Sequence, residues 1–79
     1  MNVLKYLQEK IMIQEKILND KEINVLNLVK LGYYNNEIGK NLDISPASVK
    51  LILQSAMHKL GVQNRTAAMY TAFKKGYID

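Results

Sequence analysis

Seventy-nine residues with a net charge of +4 and no Cys make one small domain, without a disulfide framework or a thiolate metal site. Apolar runs such as Leu51-Ile52-Leu53 are far too short to cross a bilayer. Lys and Glu recur through the N-terminus, unlike a signal peptide, so a cytoplasmic chain with no membrane partner is expected. The charge is unevenly placed. Residues 1–43 carry six Lys against six Asp or Glu, whereas Lys50, Lys59, Arg65, Lys74 and Lys75 follow with no acidic residue between Asp43 and Asp79. A positive second half points to nucleic acid.

With one Pro, four Gly and no strand-like alternation, the chain reads as all-α, in five helices. Residues 1–17 form an amphipathic helix with Leu4, Leu7 and Ile11 on its stripe and Leu18 continuing it, to be covered by its own domain or by a partner chain. The remainder, 18–79, is a separate unit. Its first helix starts at Asn19-Asp20, where Asn19 and Glu22 have capping-box spacing, turns Val25, Leu26 and Val29 inward, and stops at Gly32. The next runs from about Asn35 to Leu42, with Ile38 and Leu42 inward. Asp43-Ile44-Ser45 is a tight turn, and the small Gly39 lets the flanking helices approach. Ser45 caps a long helix with Pro46 in its first turn and Gly61 as its stop. Thr66 is expected to cap the last helix, which ends near Gly76.

On a helical wheel Val49, Leu53, Ala56 and Leu60 form the inward stripe of the long helix, with Ile52 and Met57 at its margins. Ala47, Lys50, Leu51, Gln54 and His58 occupy the opposite arc, which a DNA major groove would meet. Lys50 suits a guanine edge or a phosphate, Gln54 can pair bidentately with adenine, and Leu51 and Ala47 suit a thymine methyl group.

The ordered series Leu18-Asn19-Asp20-Lys21-Glu22, Val25-Leu26, Gly32, Asn35, Glu37-Ile38, Leu42, Ile44-Ser45, Ser48-Val49-Lys50 and Lys59-Leu60-Gly61-Val62-Gln63-Asn64-Arg65-Thr66 resembles the LuxR/GerE-type helix-turn-helix domain of transcription regulators over residues 18 to 78. The resemblance implies a four-helix domain, here with an additional N-terminal helix, that acts as a homodimer on double-stranded DNA. Its third helix, about 46–60, enters the major groove and its fourth forms the dimer. Lys50, Leu51 and Gln54, with Ala47, fall where bases are met. Ser45, Ser48, Lys59 and Arg65 fall near phosphate-facing positions, and His58 joins them. Met69, Tyr70 and Phe73 fall on the dimer surface. Three positions depart from the pattern: Ile52 stands where His is frequent, Tyr34 replaces a serine cap and leaves Asn35 as the expected cap, and Lys30 replaces a small residue. Only seventeen residues precede the match, so a stand-alone effector without a receiver or ligand-binding domain is expected.

Blander readings stand beside these. Lys50 on composition alone is a solvated helix lysine, and Arg65 can brace its loop through carbonyl oxygens. Ser45, Ser48 and Thr66 can serve wholly as caps. His58 is the one histidine, and its i±4 neighbours Gln54 and Val62 are not strong ligands, so no metal is expected. No catalytic constellation or phosphate loop occurs, and neither an enzyme nor a cofactor is expected. The alternative class is a protein-interaction module of the same fold, holding another regulator or an RNA polymerase subunit, motivated by Leu51-Ile52-Leu53 and the apolar first helix. A continuous apolar patch around Leu51 would favour that class, and an isolated Leu51 would favour DNA.

Overall fold

The computed structural model describes Val3 and residues 17–79. The amphipathic helix expected over residues 1–17 lies, apart from Val3 and Ile17, outside the described residues. Four helices follow: α1 (Asp20–Lys30), α2 (Asn35–Leu42), α3 (Pro46–Leu60) and α4 (Arg65–Lys74). Among the described residues the regular structure is entirely helical.

Each boundary has a local cause. Asn19 accepts from the Glu22 N–H at 2.8 Å, and Glu22 Oε1 accepts from the Asn19 N–H at 2.8 Å, the reciprocal box the spacing implied. Ser45 caps α3 by accepting from the Ser48 N–H, with Pro46 at the first helical position. Gly61 ends α3 with φ 69°, a left-handed conformation that costs glycine little.

Two caps differ from expectation. The cap of α2 is Tyr34, whose ring offers the helix no acceptor; Glu37 reaches back to the Tyr34 N–H at 2.9 Å instead. Asn35 lies inside the helix, and its side-chain oxygen is held elsewhere. The cap of α4 is Asn64 rather than Thr66, because Asn64 Oδ1 accepts from the Ala67 N–H at 2.8 Å. That choice starts α4 at Arg65, and the helix closes at Lys74, two residues before Gly76.

The inward faces meet in one core: Val25 and Leu26 from α1, Ile38 from α2, Val49, Leu53 and Ala56 from α3, Ala68 and Ala72 from α4. Leu60 and Leu42 pack at its margin. Burying each Val, Leu or Ile contributes about 1.5–3 kcal/mol, while the alanines of α4 let that helix lie close. Leu18 and Ile78 close the core at the two ends of the domain. The Ile17 N–H donates to Tyr77 Oη at 2.9 Å, tying the start of the domain to its tail.

The turn between α2 and α3 is the tightest point. A Cβ at Gly39 would stand 2.6 Å from the Ile44 carbonyl oxygen, inside any real carbon–oxygen contact. The Ile44 N–H donates to the Gly39 carbonyl at 2.9 Å, and Asp43 takes the left-handed conformation with φ 58°. These constraints fix the angle at which α3 leaves α2.

Candidate nucleic-acid interface

Ala47, Lys50, Leu51, Gln54 and His58 are all exposed on the outer arc of α3. Leu51 is 65% exposed and is the one large hydrophobic so exposed on this helix; the rest of that kind lie on other segments. Its neighbours one turn away and alongside are Ala47, Lys50, Gln54, Ser55 and the half-buried Ile52. The arc carries no carboxylate.

The two edges of this arc are built differently. On one edge, about 120° round from Ala47, the Lys59 Nζ lies 2.9 Å from Glu22 Oε1. Ser55 Oγ donates to Glu22 Oε2 at 2.7 Å, so a carboxylate only 1% exposed is fully partnered. Burial alone would push its pKa up; Lys59, the Asn19 N–H and Ser55 outweigh this and hold it below the usual carboxylate value. The ammonium of Lys59, expected to face a phosphate, is thus bonded to α1 and braces the foot of α3.

Arg65 is bonded inwardly as well. Its guanidinium donates to the Tyr33 carbonyl at 2.9 Å and to Asn35 Oδ1 at 2.8 Å, clamping the start of α4 to the start of α2. This is the loop-bracing role. At the start of α3, the Ser45 hydroxyl accepts from the Ser48 N–H at 3.1 Å and donates to Ser48 Oγ at 2.9 Å. Ser45 is therefore occupied, while the hydroxyl proton of Ser48 has no acceptor in these bonds.

Along the opposite edge runs an open groove of about 340 Å³ floored by Leu53 and Met57, with Asn35, Lys50, Gln54, Gln63, Asn64 and Arg65 also lining it. It joins the outer arc of α3 to the starts of α2 and α4. Of these, Asn35, Gln63 and Asn64 were not singled out as binding residues, because spacing along one helix cannot show which loops converge on its flank.

Away from the arc, α4 exposes Tyr70 and Phe73, 57% and 47% accessible, with Met69 half-buried beside them. Lys30 Nζ lies 5.0 Å from the centre of the Phe73 ring and Lys74 Nζ 6.0 Å from that of Tyr70. Lys30, a departure from the family pattern, thus covers part of this face by a cation–π contact.

A tight turn that presents one helix with an exposed, carboxylate-free arc defines a helix-turn-helix domain of the DNA-binding class. Comparison with known proteins agrees. Residues 16–72 match the family described as bacterial regulatory proteins, luxR family, and the chain belongs to that family, one of transcription regulators rather than enzymes. It is 37% identical over 62 residues to the transcriptional regulatory protein DegU of Brevibacillus brevis, covering 78% of this chain and 26% of that protein. With the CsgBAC operon transcriptional regulatory protein of Escherichia coli it shares 38% identity over 56 residues, 71% of this chain and 26% of the relative. With the response regulator VraR of Staphylococcus aureus the figures are 35% over 64 residues, 81% and 31%. The chain thus spans about a quarter to a third of these curated relatives. The solved structure of the transcription factor GerE superposes with a TM-score of 0.76 at 26% identity, over 78% of this chain and 92% of that one. No described helix is long and apolar enough to cross a membrane.

Proposed function

We propose that this chain binds duplex DNA sequence-specifically as a homodimer and so regulates transcription in the bacterial cytoplasm, without cofactor or metal. The observation that carries the reading is the outer arc of α3: exposed, free of carboxylates, and apolar only at Ala47 and Leu51. In the major groove Lys50 and Gln54 read base edges, and Leu51 and Ala47 contact thymine methyl groups. Ser48, held by Ser45 at the helix start, and His58 fix register on the backbone. Lys59 and Arg65 add positive charge to the surface while their ordered bonds hold the helices that flank α3.

The dimer forms through Met69, Tyr70 and Phe73 of α4. Two protomers then meet half-sites about one helical turn apart. That Leu51 is the one strongly exposed large hydrophobic on α3 supports DNA over a protein-docking face for another regulator or RNA polymerase, since such a face needs a continuous apolar patch. Replacing Lys50 by Ala tests the base-reading role. Binding to a duplex enriched from random sequence is expected to weaken by about 1–3 kcal/mol, with relaxed preference at one base pair. Unchanged affinity and preference would remove Lys50 from the reading.

A further inference from the structure

The face of α4 proposed for dimerisation is not simply apolar. Each of its two exposed rings is approached by an ammonium group. Lys30 Nζ, from the end of α1, stands 5.0 Å from the centre of the Phe73 ring, and Lys74 Nζ stands 6.0 Å from that of Tyr70. Both lie within the reach of a cation–π attraction, about 6 Å. A ring attracts the ammonium but does not neutralise it. Among the described residues neither lysine is ion-paired. The helices bring no counter-charge to this end either. Helix α4 contains no Asp or Glu, and α1 contains none after Glu22. Glu22 lies about two turns before Lys30 and is already bonded to Lys59 and Ser55.

In a twofold dimer every residue of the interface enters twice. A second copy docking on Tyr70 and Phe73 therefore brings its own Lys30 and Lys74 with it. Met69 and the two rings draw the copies together, while the like charges over the rings oppose them. We propose that Lys30, with Lys74, is a charge brake on the α4 interface: free copies pair weakly, and they pair firmly only where DNA holds them side by side. The assignment rests on the dimer reading above and names its regulation. DNA releases the brake in two ways. Two half-sites on one duplex raise the effective concentration of each protomer for the other, and the phosphates supply the negative field that the interface lacks. Pairing is thereby tied to a duplex with two half-sites.

The test compares the full chain with Lys30→Gln and Lys30→Arg. Gln keeps a long stem and removes the charge, whereas Arg keeps the charge and the ring contact. Residue 30 is exposed, so both variants are expected to fold. In sedimentation equilibrium without DNA at low salt, Lys30→Gln is expected to dimerise roughly tenfold more tightly than wild type, because one charge leaves each side of the interface. Lys30→Arg is expected to match wild type. Added NaCl is expected to tighten the wild-type dimer and to change Lys30→Gln less. A lysine in the last turn also favours the helix dipole. Were that its whole role, Lys30→Gln would melt slightly earlier and dimerise no better, and the brake would be overturned. A wild-type dimer that loosens as NaCl rises would overturn it too. Either result leaves the dimer reading intact. If no variant self-associates and the two half-sites of one duplex fill independently, both readings fall, and this basic aromatic face is left to an acidic protein partner.

Discussion

Gly39 carries the geometry of the turn in a single missing methyl group. A Cβ there would meet the Ile44 carbonyl oxygen at 2.6 Å, and the obstacle is backbone, held by the hydrogen bond from the Ile44 N–H back to residue 39. Replacing Gly39 by Ala is therefore expected to destabilise the domain by about 1–3 kcal/mol, as overpacking does, despite the better helix propensity of alanine. Urea unfolding reads this directly, and an equal or raised midpoint would mean the turn yields. The need for a small residue here was legible in the sequence, because Gly39 sits one turn before Asp43-Ile44-Ser45. The fates of Lys59 and Arg65 were not. Their partners Glu22, Tyr33 and Asn35 lie 30 to 37 residues away in the chain, so local spacing offered carbonyl bracing for Arg65 as one reading but could not name the partners of either residue.

At the scale of elements, α3 was readable to the residue, since Ser45-Pro46 and Gly61 are strong start and stop signals on a clear apolar stripe. The starts of α2 and α4 were less so. Asn35 and Thr66 are good cap formers, but Arg65 draws the first inward and Asn64 precedes the second, outcomes that tertiary contacts decide. The junction of α1 with α3 rests on Glu22, whose carboxyl is held below its ordinary value despite burial. A lowered folded-state pKa favours the ionised form in the fold. Its contribution is therefore complete above the unfolded value near 4.5 and is lost as pH falls through the folded value. Stability is expected to be level from neutral pH to about 5.5 and to decline below it. Glu22→Gln is expected to cost about 1–3 kcal/mol at pH 7 and to flatten that decline. Urea midpoints at several pH values check both, and parallel curves for the two proteins would remove Glu22 as the cause.

For the whole molecule, Lys50 lies on the exposed arc of α3, while Lys74 and the exposed aromatics lie on α4. The proposed DNA face and the proposed dimer face are thus on different helices. Phe73→Glu puts a carboxylate into the proposed dimer face, and also beside Lys30, which can pair with it without disturbing the core. Sedimentation is expected to show a shift toward monomer, with weaker binding to a two-half-site duplex and little change on a single half-site. An intact dimer would move the interface off α4. The central claim, that the outer arc of α3 reads sequence, is tested most directly by selecting bound duplexes from random DNA at two salt concentrations. Recovery of the same two-part motif at both, with half-sites about one helical turn apart, is the expected result. Sequence-blind binding that disappears at the higher salt would contradict it, leaving charge attraction alone.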